Sequence, residues 1–206
     1  MSKKEIFRQK SSKKLALAKS RKITKDYKVL SRLLKSLRGI KNKTILLYMP
    51  LENEVDIKKI FRHLRQHNRI LLPFMEGVSF KVVKLRLPMH EKKYSILEPY
   101  NSWAFYPKID IAIVPVIGVD GALRRIGFGK GMYDRFFSSL KYKPYVIFVQ
   151  RDRCFTNSQI GNSFDLQADE YITPNDFIKR RGKNGIRTFY SRRGSPNRRC
   201  SKLSCC

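Results

Sequence analysis

Four nearly uninterrupted apolar segments, Thr44 to Met49, Ile70 to Phe74, Asp110 to Ile117 and Tyr145 to Gln150, constrain this chain more than any other feature. A strand open to water on one face alternates apolar with polar residues. A continuous apolar run has to be covered on both faces, as in a parallel sheet under helices. The intervening segments supply such covers. Asp56 to Gln66 repeats Ile57, Ile60, Phe61 and Leu64 at helical spacing, and Lys130 to Leu140 reads as a further helix. Lys25 to Leu37 carries Tyr27, Leu30, Leu33, Leu34 and Leu37 on one stripe. Lys3 to Lys19 reads as a basic helix in which Ile6, Leu15 and Leu17 are too sparse for a strong apolar face. Val78 to Leu87 alternates only in part, as in a hairpin or an edge strand. These units predict a single-domain layered α/β/α sandwich with a mostly parallel sheet, whose ligands bind beyond the carboxyl ends of its strands.

Composition narrows the class further. At 206 residues, 42% of them hydrophobic and with 13 Phe, 10 Tyr and 1 Trp, the chain can bury one sizeable core. No apolar run approaches the roughly 20 residues that span a bilayer. Met1-Ser2-Lys3-Lys4-Glu5-Ile6 lacks the apolar core of a secretory leader. The expectation is a cytoplasmic monomer without membrane contact. Cys154, Cys200, Cys205 and Cys206 lack C-x-x-C spacing and read as free thiols rather than zinc ligands. The formal net charge of +29 raises a second reading, a basic α/β module that binds nucleic acid. From Lys179 onward the chain has ten lysines and arginines, no acid and little apolar periodicity. Residues 179–206 therefore read as a disordered basic tail behind a domain of residues 1–178, with nucleic-acid contact through the tail the less favoured reading.

One segment carries chemistry. Arg124-Arg125-Ile126-Gly127-Phe128-Gly129-Lys130-Gly131-Met132-Tyr133-Asp134-Arg135 follows an apolar strand and leads into a helix. Glycines there let backbone N–H groups approach a bulky anion, and Arg125 and Lys130 add charge, which together make a phosphate cradle. It is not a P-loop, because Gly131 stands where a Ser or Thr would reach Mg²⁺. Nor is it a dinucleotide turn, whose spacing is G-x-G-x-x-G. A tight strand-to-helix connection with solvated arginines would share the same composition.

With its surroundings the segment resembles the signature of the 5-formyltetrahydrofolate cyclo-ligase (5,10-methenyltetrahydrofolate synthetase) family. The resemblance rests on Pro115-x-x-Gly118-x-Asp120, on Arg125-x-Gly127-x-Gly129-Lys130-Gly131-x-Tyr133-Asp134, and on the opening pair Lys4 and Arg8. Tyr48-Met49-Pro50-x-x-x-Glu54-Val55-Asp56, Leu71-Leu72-Pro73, Leu97-Glu98-Pro99 and Phe164-Asp165-x-x-x-Asp169 follow in the expected order. The similarity runs from about Lys3 to Asn175. It implies an ATP- and Mg²⁺-dependent closure of 5-formyltetrahydrofolate, with or without a polyglutamate tail, to 5,10-methenyltetrahydrofolate.

The same resemblance implies the site. Lys130 and Arg125 would be catalytic. Lys4, Arg8, Arg125, Gly127, Phe128, Gly129, Lys130, Gly131, Met132 and Tyr133 would hold the nucleotide. Met49, Glu54, Trp103, Gly129 and Gly131 would hold the folate, and Asp134 and Asp165 the Mg²⁺. Without the resemblance, Lys4 and Arg8 read as solvated helix charges, Glu54 and Asp134 as acids at helix starts, and Trp103 as a packing residue. The chain departs from the family at Met132, where a tyrosine is common, and at Phe164, where histidine is common.

Overall fold

The computed structural model describes residues 1–85, 89–92, 96–99, 108–181 and 185–190. The chain opens with helix α1 (Lys3–Leu17), a 3-10 turn (Ala18–Arg21) and α2 (Lys22–Ser36). Strand β1 (Thr44–Leu46), α3 (Lys58–Arg65) and β2 (Arg69–Glu76) form a parallel unit, and β3 (Ser79–Lys84) returns beside β2. A hairpin of β4 (Met89–Lys92) and β5 (Ile96–Pro99) precedes β6 (Ile111–Pro115). The short pair β7 (Gly118–Val119) and β8 (Arg125–Ile126) leads to α4 (Met132–Ser139) and β9 (Tyr145–Val149). Strands β10 (Glu170–Ile172), β11 (Asp176–Arg181) and β12 (Gly185–Tyr190) close the described fold.

The main sheet has eight strands in the order β12-β11-β10-β9-β6-β1-β2-β3. Its centre, from β2 to β10, is parallel, and β3, β11 and β12 pair antiparallel at the two edges. Alternate strand residues feed opposite cores, as the strand period of two requires. Ile45, Ile70, Ile113 and Ile147 pack with Val29, Leu30 and Leu33 of α2 and Ile60, Phe61 and Leu64 of α3. Leu46, Leu71, Val114 and Phe148 face the other way, toward Phe136 of α4. The expected three-layer sandwich is therefore present. From β1 the chain goes on to β2 on one side, whereas β6 and β9 lie on the other. The strand order thus reverses between β1 and β6, the place where open α/β sheets bind ligands.

Local boundaries differ from the sequence reading for identifiable reasons. The helix after the glycine loop starts at Met132 rather than Lys130, because Gly131 takes the left-handed conformation, φ 61°, which cannot continue a right-handed helix. Helix α1 buries only Ser11 and Leu15, consistent with its weak stripe. On α2, Asp26 shares the buried face with Val29, Leu30 and Leu33. Among the described residues no helix is long and apolar enough to cross a membrane.

The sheet also continues beyond residue 178, where the sequence reading closes the domain. Strand β11 runs to Arg181, and β12 pairs with all of it. Ile178 is fully buried against the core that contains Tyr171 and Phe148. The basic composition of this stretch conceals it, because Ile178 is followed directly by Lys179, Arg180 and Arg181. A chain ending at residue 178 is therefore expected to melt about 5–10 °C below one ending at residue 190, as measured by circular dichroism. Equal midpoints would place the domain boundary at 178 after all.

Candidate active site

The loops after β1 and β6 meet at the strand-order reversal, and each is held by its own short-range bonds. After β1, Tyr48 is buried and donates its hydroxyl to the Val55 carbonyl at 2.8 Å, tying off the loop. Within that loop the Leu51 N–H donates to Glu54 Oε2 at 3.0 Å, and the Glu54 N–H donates to the Leu51 carbonyl at 3.0 Å. After β6, fully buried Asp120 accepts the N–H groups of Ala122, Arg124 and Gly161 and folds the β7–β8 turn. That turn delivers Arg125 to the site.

Arg125 is 7% exposed. Its Nε donates to the Pro115 carbonyl at 3.2 Å, its guanidinium carbon lies 4.8 Å from the centre of the Tyr133 ring, and Nη1 is 3.7 Å from Asp134 Oδ2. A ring face and a carboxylate thus share its charge. Gly127 is the position that lets the guanidinium lie there, since a Cβ at residue 127 would sit 2.2 Å from Nη1.

Two cavities open on either side of this arginine. The apolar one, about 300 Å³, is walled by Tyr48, Met49, Leu51, Glu54, Pro73, Met75, Phe80, Met132 and Tyr133. Lys130 and Phe128 also line it, and Phe128 is 53% exposed. The polar one, about 490 Å³, is lined by Lys4, Arg8, Arg135, Gly127, Gly129, Asp134 and Asp165, with Phe164 alongside. Arg125 and Gly131 belong to both. A larger cavity of about 850 Å³, beside Lys43, Arg65 and Arg69, lies at the amino-terminal end of β1 and β2, opposite the strand ends where open α/β sheets bind ligands.

The basic cavity is assembled by docking α1 onto the glycine loop. Arg8 Nε donates to the Gly127 carbonyl at 2.8 Å while its Nη1 holds Glu5 at 2.6 Å. Lys4 Nζ reaches Asp165 Oδ2 at 2.6 Å, and the Asn162 N–H meets the same oxygen at 2.5 Å. Arg135 braces the loop from below by donating to the carbonyls of Lys130 and Val78. Asp134 Oδ1 accepts the Leu166 N–H at 3.0 Å.

In the apolar cavity burial dominates the electrostatics. It pushes the Glu54 carboxyl up to about 7, against the pull of the Leu51 N–H, Arg125 and Arg151. Glu54 keeps some surface open to the cavity while the protein surrounds most of its carboxyl. Burial, with Glu54 nearby, also raises the Tyr133 phenol above its ordinary range.

The structure therefore brings together the residues singled out from sequence, but it sorts them. Lys130, Phe128, Met132 and Tyr133 border the apolar cavity and not the basic one, whereas Gly129 borders only the basic one. Met49 and Glu54 lie on the apolar wall as expected. Trp103 lies outside the described residues. Asp134 and Asp165 share the basic cavity, each already bonded to protein donors, and no set of three metal-binding side chains exists among the described residues. Sequence reasoning assigned no site role to Arg135 or Tyr48, although both stand inside quoted motifs, and missed Phe80, a core aromatic with no local signal.

Fold and site together define an α/β protein in which a cation-rich cavity adjoins an apolar one. The sequence profile of the 5-formyltetrahydrofolate cyclo-ligase family matches residues 1–153. The chain belongs to that family. It is 28% identical over 141 residues to the 5-formyltetrahydrofolate cyclo-ligase of Mycoplasma pneumoniae, covering 68% of this chain and 79% of the relative. The cyclo-ligase of Escherichia coli is 22% identical over 145 residues, 64% of this chain and 78% of that one. Among solved structures, the 5,10-methenyltetrahydrofolate synthetases of Aquifex aeolicus and Mycoplasma pneumoniae share the fold, with TM-scores of 0.68 and 0.62. Each is 24% identical; the alignments cover 96% and 84% of this chain and 97% and 99% of theirs, respectively.

Because Gly127 and Arg125 occupy adjoining space, Gly127→Ala must displace the guanidinium from Pro115 and Asp134. ATP affinity measured by calorimetry is expected to fall on the order of tenfold to a hundredfold in a folded protein. Unchanged affinity would mean that the guanidinium does not contact the nucleotide.

Proposed function

We infer that this chain catalyses the ATP-dependent cyclisation of 5-formyltetrahydrofolate to 5,10-methenyltetrahydrofolate, releasing ADP and phosphate. The carrying observation is that an apolar pocket with one inward carboxyl and a cation-rich pocket share a wall made of Arg125 and Gly131. A pterin and a nucleotide triphosphate seated in the two pockets would meet at that wall.

The formyl oxygen attacks the γ-phosphorus, and the bond to the β-phosphate oxygen breaks, releasing ADP. N10 of the same folate then bonds to the activated carbon and loses its proton, and phosphate departs with the former formyl oxygen. No protein nucleophile enters, so the work of the protein is orientation and charge stabilisation. Lys4, Arg8 and Arg135 suit the nucleotide phosphates. Arg125 forks toward the transferred group from the shared wall, and Lys130 supplies a mobile charge from the folate side. The amides of Gly127, Gly129 and Gly131 line the loop that carries both. Glu54 accepts hydrogen bonds from the pterin, while Met49 and Met132 give apolar contact. Asp134 and Asp165 fit a Mg²⁺ that takes its remaining ligands from phosphate and water, where it would neutralise charge on the triphosphate. Charge neutralisation in the nucleotide pocket also gives part of the +29 excess a use without nucleic acid.

The test is purified protein with 5-formyltetrahydrofolate and Mg-ATP, followed by the absorbance of the methenyl product. Product formation that requires ATP supports the reading; none from folded protein that binds both ligands contradicts it. Lys130→Ala is expected to lower kcat on the order of a hundredfold while leaving folate affinity within about threefold. Equal loss of both would place Lys130 in ground-state binding only. The Glu54 carboxyl is protonated below about pH 7 in the free site, and in that form it accepts pterin donors poorly. Folate kcat/KM is therefore expected to fall as pH drops below about 7 in the wild type. Glu54→Gln should be weaker throughout and flat across that range.

A further inference from the structure

We propose that Arg151 is a positioning residue that fixes the Glu54 turn in its folate-binding shape, with Asp26 holding Arg151 in place. This rests on the assignment of the apolar cavity to the folate. Arg151 stands just beyond β9, and its side chain is completely buried. Its fork reaches two separate segments, helix α2 and the Glu54 turn. Nε donates to Asp26 Oδ1 at 2.8 Å and Nη2 to Asp26 Oδ2 at 3.1 Å, a two-pronged grip on helix α2. Nη1 donates to the Glu52 carbonyl at 2.8 Å, and Nη2 also donates to the Glu54 carbonyl. The second Asp26 oxygen takes the Asp56 N–H at 3.1 Å, so one carboxylate secures both the arginine and the chain leaving the turn.

Stability alone does not account for this arrangement. A buried ion pair is often replaceable by apolar residues of similar volume with no loss of stability. Apolar residues, however, cannot donate to two peptide carbonyls of an irregular turn, and lysine lacks the planar fork. Apart from the Tyr48 hydroxyl on the Val55 carbonyl and the Asp56 N–H on Asp26, the other bonds of the turn are internal to it. The Glu52 side chain lies at the surface beside Lys19, and Glu54 is bonded locally through both its N–H and its carboxyl to Leu51. Arg151 ties the peptide groups at both ends of residues 52–54 to the sheet, which sets where the Glu54 carboxyl enters the cavity. The nucleotide cavity does not include this turn. Loss of the clamp should therefore separate the two ligands.

The decisive variants are Arg151→Lys and the apolar pair Asp26→Leu with Arg151→Met, the pair avoiding a buried unpaired charge. Calorimetric affinities for 5-formyltetrahydrofolate and for ATP are read on each, so that turnover is not needed, with circular dichroism as the check on folding. Folate affinity should drop at least about tenfold in both variants, and ATP affinity should stay within about twofold. Folate affinity unchanged in either folded variant overturns the clamp, as does equal loss of both affinities. Should both variants fail to fold, Arg151 is structural and the proposal falls. A wild-type protein that binds ATP but not the folate overturns the assignment of the cavity itself, a separate result.

Discussion

The guanidinium of Arg125 is the element on which the site depends. It lies buried between Tyr133, Asp134 and the Pro115 carbonyl, at the wall between an apolar and a basic cavity. A cation held at such depth has lost most of its water, so its field acts on neighbouring ligands with less screening than a surface charge. Its neighbours make that burial tolerable by supplying a carbonyl, a ring face and a carboxylate. The residues around it are constrained in turn. Gly127 lacks a side chain because the guanidinium fills that volume, and Asp134 is committed to balancing the charge and capturing Leu166.

The sheet explains why two pockets meet there. Reversal of strand order between β1 and β6 leaves a crevice between their following loops, one carrying Glu54 and the other Arg125. Helix α1 then closes the open side, bringing Lys4 and Arg8 from the start of the chain onto a loop more than a hundred residues away. An amphipathic stripe is not what docks this helix. Polar contacts with Gly127 and Asp165 do so together with a small apolar cluster, in which Phe7 and Leu15 pack on Ile117 and Cys154, and so few apolar residues explain why its sequence carries so little periodicity.

Much of this is legible in the sequence. Continuous apolar runs require a doubly covered parallel sheet, and glycines among arginines after a strand suit an anion site as well as a tight strand-to-helix connection. The identity of the pocket lining was less legible, since Tyr48, Phe80 and Arg135 acquire a role only through packing between distant elements. Asp26 did leave a trace, an acid on the buried stripe of α2 beside Val29, Leu30 and Leu33. A charge in that position demands a partner, yet nothing in the sequence names Arg151. The end of the strand around Ile178 was hidden because Lys179, Arg180 and Arg181 follow it without a break, so the sheet continues through a stretch that reads as basic tail. The left-handed Gly131 shortened a helix that periodicity alone would start at Lys130.

The most direct test of the shared wall is a calorimetric titration of Arg125→Ala with ATP and, separately, with 5-formyltetrahydrofolate. A guanidinium that borders both cavities predicts that affinity for each ligand falls together, on the order of tenfold or more, in a protein that remains folded. Loss confined to one ligand would contradict the account, because Arg125 would then belong to a single pocket and the two would have to meet elsewhere.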